Sequence, residues 1–177
     1  MNKVFSILFF VLIISIGLFQ YIRNSEPSIN YERFNLVSPG ILRTPDDRFE
    51  DLKDYPFTPN YLTIGDTRIH YIDEGPKDGQ IIYLLHGEPT WSYLFRKMIP
   101  TLVNEGFRVI APDMVGFGKS DKYISTDDYS HQMHVDKMTQ LIVELDLKNI
   151  TAHFHDWGGP VGFRVLAEVP NRFDRVI

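Results

Sequence analysis

The sequence contains no cysteine among its 177 residues. This absence excludes disulfide bonds, thiol catalysis and metal sites built from cysteine. The chain has 18 lysine and arginine residues against 23 aspartate and glutamate residues, which gives a net charge of −5, and no basic stripe with interleaved aromatic residues is present. We therefore expect no nucleic-acid partner. Internal repeats and low-complexity tracts are also lacking, so the length predicts one globular domain with a substantial core.

The N-terminus carries the one long apolar stretch of the chain, at residues 4–22. A helix needs roughly 20 apolar residues to span a bilayer, so residues 1–24 predict a transmembrane anchor. The alternatives are a signal peptide cleaved near Gly17 and a start codon placed too far upstream. The anchor predicts a single-pass membrane protein with its domain outside the cytoplasm, and cleavage predicts a secreted or periplasmic protein. Residues 25–40 predict a linker, and residues 41–177 the domain.

Strand and helix patterns alternate along the domain. Continuous apolar or β-branched runs predict strands at residues 67–73, 80–85, 108–111 and 150–154, with the start of another at 175–177. Helical patterns cover residues 92–104, where Pro100 should kink or restart the helix, a stretch after N-caps at residues 126–128, and residues 160–169. This alternation predicts an α/β fold with a mainly parallel sheet and flanking helices.

Asp156 follows the predicted strand at residues 150–154 and precedes a helix that opens on glycines. This strand–turn–helix setting is that of a nucleophile elbow, with Asp in place of Ser. A carboxylate with an ordinary pKa of about 3.9 is ionised at neutral pH, so it attacks a carbon bearing a leaving group without help from a base. The alternative is that Asp156 only caps the helix beginning at Gly158.

A second candidate element is the loop at residues 86–89, His-Gly-Glu-Pro, which follows the most apolar strand. When an elbow is present, the loop after the third strand supplies one N–H group to the oxyanion hole. Glycine and proline suit an ordinary β-to-α turn equally well, which is the alternative interpretation. The loop and the elbow together predict a matched pair.

Three motifs resemble those of the haloalkane dehalogenases, a family with the α/β-hydrolase fold. They are HGEPTWSYLFRKMIP at residues 86–100, APDMVGFGKSD at 111–121 and HDWGG at 155–159. Two further segments, 42–49 and 55–62, are similar to the N-terminal region of one subfamily. The first motif is long and specific, whereas the second is shared by many α/β-hydrolases.

The resemblance implies that Asp156 displaces halide from a small halogenated organic substrate and that the resulting ester is hydrolysed to an alcohol. The backbone N–H groups of Glu88 and Trp157 would form the oxyanion hole, and the Trp157 indole N–H would bind the halide. The alternative for Trp157 is a core aromatic residue. Glu88 stands where another subfamily has a halide-binding Asn, so a second donor is expected from a cap domain. Phe154 departs from the small residue of the elbow. Neither a cofactor nor a metal is implied.

Two other sequence patterns do not support a metal site or a phosphate-binding loop. His131 and His134 lie three residues apart on a predicted helix, but no carboxylate or third histidine joins them, so we expect surface or boundary positions rather than metal ligands. The Gly-Lys-Ser run at residues 118–120 lacks the earlier glycine of a phosphate-binding loop.

The catalytic acid and histidine follow the nucleophile in this fold, yet the last histidine here is His155. We therefore expect the N-terminal part of a haloalkane dehalogenase-like protein, truncated before the cap domain and the C-terminal strands. Such a chain would be inactive alone beyond slow alkylation of Asp156, and its strand at 150–154 would be an exposed edge. The alternatives are an epoxide hydrolase, which also uses an Asp elbow, and a membrane-tethered remnant without catalysis.

Overall fold

A computed structural model describes residues 35–177, which contain nine strands and three α-helices. The strands are β1 (Asn35–Ser38), β2 (Ile41–Arg43), β3 (Asn60–Ile64), β4 (Thr67–Glu74), β5 (Ile81–Leu85), β6 (Arg108–Pro112), β7 (Lys122–Tyr123), β8 (Ile150–Phe154) and β9 (Phe173–Val176). The helices are α1 (Met98–Asn104), α2 (His131–Glu144) and α3 (Gly158–Glu168). The predicted anchor lies outside the described residues. Within residues 35–177, every helix is too short or too polar to cross a membrane.

The main sheet has six strands in the order β3-β4-β6-β5-β8-β9. Strand β4 pairs antiparallel with both β3 and β6, whereas the pairs β5–β6, β5–β8 and β8–β9 are parallel. A second, small antiparallel sheet consists of three strands in the order β1-β2-β7. The arrangement confirms the α/β-hydrolase fold with a mainly parallel sheet.

The composition of β5 explains how the sheet is buried on both faces. All five of its residues are buried, and alternate side chains enter two different apolar clusters. Tyr83 and Leu85 belong to the cluster that includes α2 and α3, while Leu84 belongs to the cluster that includes Ile99 of α1. Burying one such side chain contributes roughly 1.5–3 kcal/mol. Helices on both faces therefore fix the carboxyl ends of β5 and β8 next to one another.

The helix predicted at residues 92–104 is divided. Ser92–Phe95 forms a 3-10 turn, and α1 begins only at Met98. Pro100 is the third residue of α1 rather than the point of interruption. Proline is tolerated in a first helical turn because the N–H groups of that turn have no partner within the helix.

The predicted start of α2 is also corrected. Residues Thr126–Asp128 form a separate 3-10 turn, in which the Ser125 side chain accepts a hydrogen bond from the Asp127 N–H. The N-cap of α2 is Ser130, whose side chain accepts from the Met133 N–H at 3.0 Å. Both serines satisfy an otherwise unpaired backbone donor, so the sequence offered two capping signals within five residues.

Two boundary expectations differ from the structure. Residues Asn35–Ser38 of the predicted linker form β1, which pairs with β2. Strand β8 is not an edge, because β9 pairs with it from Phe173 onward. The prediction of an exposed edge was wrong since β9 begins two residues before the stretch assigned to it, where the charged Asp174 and Arg175 hide the strand pattern.

Candidate active site

The turn after β8 places Asp156 in a left-handed backbone conformation, with φ of 51°. Aspartate is among the few non-glycine residues that adopt this conformation readily. The turn is closed on both sides: the His155 N–H donates to the Leu85 carbonyl at 3.0 Å, and the Gly159 N–H donates to the Asp156 carbonyl at 2.8 Å. Asp156 thus lies at the carboxyl end of the parallel strands, between the end of β8 and the start of α3.

Two backbone donors face the Asp156 carboxylate. The Glu88 N–H donates to Oδ1 at 2.9 Å, and the N–H of the adjacent Trp157 is close enough to lower the pKa of the carboxyl. The Trp157 N–H is the main cause that lowers the pKa of the exposed Asp156 carboxyl, with further help from the Glu88 N–H and from His155. Asp156 is therefore ionised at neutral pH. The structure brings together all three residues that the sequence singled out.

Two glycines permit this close approach between the loop and the elbow. A Cβ on Gly87 would lie 2.4 Å from Asp156 Oδ1 and 2.5 Å from the Trp157 nitrogen. A Cβ on Gly158 would lie 2.5 Å from the carbonyl oxygens of both Leu85 and His86. These distances are shorter than real carbon contacts, so a side chain at either position would separate the two elements.

We expect Gly158→Ala to lower the free energy of unfolding by about 1–3 kcal/mol, since the added methyl group collides with backbone that cannot rotate away. Gly159→Ala is the matched control, because a Cβ there meets nothing within 4 Å. The control should be neutral or up to about 1 kcal/mol more stable, as alanine favours helix over glycine. Urea unfolding of both variants measures the difference; equal stabilities would contradict the close-approach argument.

Trp157 is 54% exposed, so it is not the core aromatic residue of the alternative interpretation. Trp157 lines two depressions in the surface. One is a hollow bounded by Asp156, Trp157 and Pro160. The other is a cleft of about 230 Å³, which we call the α2–α3 cleft. Its described lining residues are Glu88, Met114, Phe117, Tyr129, Ser130, His131, His134, Trp157 and Val161.

The two helical histidines occupy the surface and boundary positions that the sequence predicts. His131 is exposed, whereas His134 is partly buried, and burial lowers the pKa of His134 to about 4. His134 is therefore neutral at pH 7. Within residues 35–177, no group of three His, Cys, Asp or Glu residues is placed to hold a metal ion.

Phe154, which departs from the family pattern, is accommodated by a glycine in α3. A Cβ on Gly162 would lie 2.5 Å from a carbon of the Phe154 ring. The ring also packs edge-on against Phe163, with centroids 5.4 Å apart. A glycine inside a helix destabilises the helix by roughly 1 kcal/mol, so its presence indicates a packing role. Gly162 is therefore the sequence signal from which the contact with Phe154 could have been predicted.

A model of the "alpha/beta hydrolase fold" family matches residues 80–177, more than half of the chain. The chain belongs to the α/β-hydrolase fold family. Among curated proteins, it is 55% identical over 141 residues to the haloalkane dehalogenase of Psychrobacter cryohalolentis, covering 77% of this chain and 46% of that protein. It is 53% identical over 142 residues to the haloalkane dehalogenase of Mycolicibacterium paratuberculosis, covering 77% and 47%. The chain thus spans just under half the length of these relatives.

Solved structures give the same result. The tetrameric haloalkane dehalogenase DpaA from Paraglaciecola agarilytica superposes with a TM-score of 0.74 at 48% identity, covering 77% of this chain and 47% of that one. A mutant epoxide hydrolase from Vigna radiata superposes with a TM-score of 0.62 at 26% identity, covering 68% and 37%. The α/β-hydrolase described here is therefore more similar to the dehalogenase than to the epoxide hydrolase.

The structure of this α/β-hydrolase also contains a buried polar network that the sequence did not reveal. Asp113, fully buried, accepts hydrogen bonds from the backbone N–H groups of Ser92 and Lys119, at 2.8 and 2.9 Å. Its Oδ2 also lies 2.8 Å from Nδ1 of His70, which is equally buried. Asp113 and His70 are 43 positions apart, so local sequence patterns do not indicate the contact.

The buried His86 connects the loop at residues 86–89 of this hydrolase to the segment after β6. Its Nε2 accepts a hydrogen bond from the Met114 N–H at 3.0 Å. Its Nδ1 therefore carries the proton and donates to the Gly87 carbonyl at 3.1 Å. Burial lowers the pKa of His86, in agreement with a neutral ring. The imidazole thus holds the loop that carries Glu88 in place.

Proposed function

We propose that this chain carries the nucleophilic half of a haloalkane dehalogenase, with Asp156 as the nucleophile. One observation supports this most strongly: the Glu88 N–H donates to the carboxylate of Asp156 itself at 2.9 Å, and the adjacent Trp157 N–H lowers the pKa of the same carboxyl. In serine hydrolases the corresponding donors must face the substrate carbonyl. Donors that face the nucleophile suit a reaction in which the nucleophile's own carboxyl carbon becomes tetrahedral.

The reaction has two steps. The ionised Asp156 attacks an sp³ carbon, a carbon–oxygen bond forms, and the carbon–halogen bond breaks, with the electron pair leaving on the halide. The Trp157 indole N–H, at the surface beside Asp156, donates to the departing halide. Water then adds to the ester at the Asp156 carboxyl carbon, where the Glu88 and Trp157 N–H groups would stabilise the oxyanion. The bond between this carbon and the alkoxy oxygen breaks, the alcohol leaves with one proton of the water, the other proton passes to solvent, and the carboxylate is restored. One such donor contributes on the order of 10²–10³ in rate.

An epoxide hydrolase is the second candidate, since the fold is similar to that of the Vigna radiata epoxide hydrolase mutant. The identity of 48–55% to haloalkane dehalogenases against 26% to this epoxide hydrolase favours the first candidate. The two reactions give different esters at Asp156, because opening of an epoxide leaves a hydroxyl group on the adjacent carbon. The mass of the adduct therefore distinguishes them.

The test is incubation of the whole protein with hexyl bromide in heavy-oxygen water, followed by peptide mass mapping. We expect either a hexyl ester on the peptide that contains Asp156 or, where the ester is hydrolysed, heavy oxygen in the Asp156 carboxylate. A parallel incubation with hexene oxide tests the second candidate. Folded protein in which Asp156 gains neither the ester nor the label would refute the proposal, and a faster hydroxyhexyl adduct would favour the epoxide hydrolase.

A further inference from the structure

We propose that His134 is a specificity-determining residue whose ring N–H binds a hydrogen-bond acceptor in the substrate. This inference rests on the proposed function, since it concerns the part of the substrate beyond the reacting carbon. His134 lines the α2–α3 cleft together with Glu88 and Trp157. The backbone N–H of Glu88 bonds the Asp156 carboxylate, so a substrate that reacts at Asp156 can extend along the wall that contains His134.

The two ring nitrogens of His134 lie in different surroundings. Nδ1 is buried and has no hydrogen-bond partner among the described residues. The aromatic rings of Phe117 and Tyr129 lie beside the imidazole, with centroids 6.4 and 6.2 Å away. Nε2 is not among the buried unpaired atoms and makes no hydrogen bond to a described residue, so it is open to the cleft.

The neutral ring of His134 carries its one proton on Nε2. Burial lowers the pKa of His134 to about 4, so the ring holds a single proton at pH 7. A proton on Nδ1 would be a buried donor without an acceptor, which is rare in folded proteins. His134 is also the fourth residue of α2, and the partial positive charge at the N-terminal end of a helix disfavours a proton on the nitrogen nearer the backbone. The cleft therefore receives an N–H donor.

The other polar side chains of the cleft are less suited to this role. The Tyr129 hydroxyl already accepts a hydrogen bond from the Tyr123 N–H at 2.8 Å and donates to the Tyr123 carbonyl at 3.2 Å. The Ser130 hydroxyl oxygen caps α2, and the His131 side chain is exposed to water. His134 thus supplies a donor that is sheltered from water and has no partner among the described residues.

The charges of the cleft select the kind of acceptor. Its described lining includes the Glu88 carboxylate and no lysine or arginine, and His134 itself is neutral at pH 7. A carboxylate on the substrate would meet repulsion from Glu88 without a compensating ion pair. An ether oxygen accepts a hydrogen bond, carries no charge and brings no donor that would need a partner of its own. The substrate class that fits is a haloalkane whose chain contains an ether oxygen.

The test compares pentan-1-ol with two ethers of equal length, 2-ethoxyethanol and 3-methoxypropan-1-ol. Their dissociation constants for the whole protein are measured by tryptophan fluorescence, so no chemical step is required. His134→Leu should weaken binding of at least one ether about two- to tenfold relative to pentanol, the usual effect of one neutral hydrogen bond. His134→Gln, which retains an N–H donor, should restore most of this preference. Gln140→Leu, at an exposed position of the same helix, is the matched control and should leave both ratios unchanged.

Nitrogen-15 NMR of the imidazole rings measures the protonation state independently, with His134→Gln assigning the signals of His134. We expect the proton on Nε2 and a shift of the Nε2 signal when the ether is added. This measurement uses the unmodified protein, so it decides the question even if His134→Leu does not fold. A proton on Nδ1 would overturn the inference.

Unchanged ratios in His134→Leu, shown by circular dichroism to be folded, would also overturn the inference, as would an equal change in Gln140→Leu or no binding of any of the three alcohols. An ether preference that depends on His134, without any modification of Asp156 by an alkyl bromide, would refute the proposed function alone. Modification of Asp156 with ether binding that ignores His134 would refute only this inference.

Discussion

Asp156→Asn should reduce ester formation and halide release from hexyl bromide by at least about 10³-fold, the scale on which removal of a catalytic nucleophile acts. The amide has the shape of the carboxylate but carries no negative charge, so its oxygen is a much weaker nucleophile than the carboxylate oxygen at neutral pH. Asparagine also tolerates the left-handed conformation that residue 156 adopts, with φ of 51°. The fold of the variant should therefore be intact, and the loss should be chemical.

The control for this variant is Asp136→Asn, which removes an exposed carboxylate of α2 that accepts a hydrogen bond only from Gln132 among the described residues. It should react at the rate of the unmodified protein. Halide release is measured by ion chromatography, and the adduct by intact mass. Equal reactivity of Asp156→Asn and the unmodified protein would mean that another group attacks the substrate.

Asp113→Ala should lower the free energy of unfolding by about 3–5 kcal/mol, because it removes a buried carboxylate and leaves several hydrogen-bonding groups without a partner. The carboxylate accepts hydrogen bonds from the N–H groups of Ser92 and Lys119 and contacts His70 Nδ1, and all of these lose their partner in the variant. Asp136→Ala, at an exposed site, should change stability by no more than about 0.5 kcal/mol. Urea unfolding at neutral pH measures both.

The pH dependence of the free energy of unfolding provides a second test of the Asp113 network. Burial alone raises the pKa of the Asp113 carboxyl, but the hydrogen bond and the charge of His70 outweigh it and leave the pKa below the ordinary 3.8. The unfolded chain thus binds a proton at a higher pH than the folded one. The stability contributed by Asp113 is present above pH 3.8 and is lost as the pH falls through the folded pKa. Asp113→Asn should flatten this decline; an unchanged slope would contradict the assignment.

The residues of the elbow were predictable because their chemistry is local. Asp156, Trp157 and the glycines after them lie within a few positions of one another, and the geometry of a strand-to-helix turn depends on that short segment. The loop carrying Glu88 was predictable for the same reason, through its position after an apolar strand. The hydrogen bond of 2.9 Å from the Glu88 N–H to Asp156 Oδ1 was not predictable in this way, because it depends on the parallel pairing of β5 with β8. That pairing brings together two residues that are 68 positions apart.

The errors have a common origin in weak local signals. The cap of α2 was assigned to residues 126–128 because Thr and Asp are favoured at N-caps, whereas Ser130 is the N-cap in the structure. Strand β9 was placed too late because two of its four residues are charged, and so β8 was expected to be an edge. In both cases the three-dimensional partner decided the outcome, since a strand is stabilised by the strand it pairs with.

By itself, the sequence determined the fold class and singled out Asp156, Glu88 and Trp157 as the candidate site, since apolar periodicity and turn chemistry are encoded over short stretches. Only the tertiary structure decided how that carboxylate is held. It brought Gly87 and Gly158 into contact with backbone across the turn, placed Gly162 beneath Phe154, and buried Asp113 against His70. It also opened the α2–α3 cleft beside Trp157. Most of these contacts join segments far apart in the chain, and their energies depend on distances that exist only after folding.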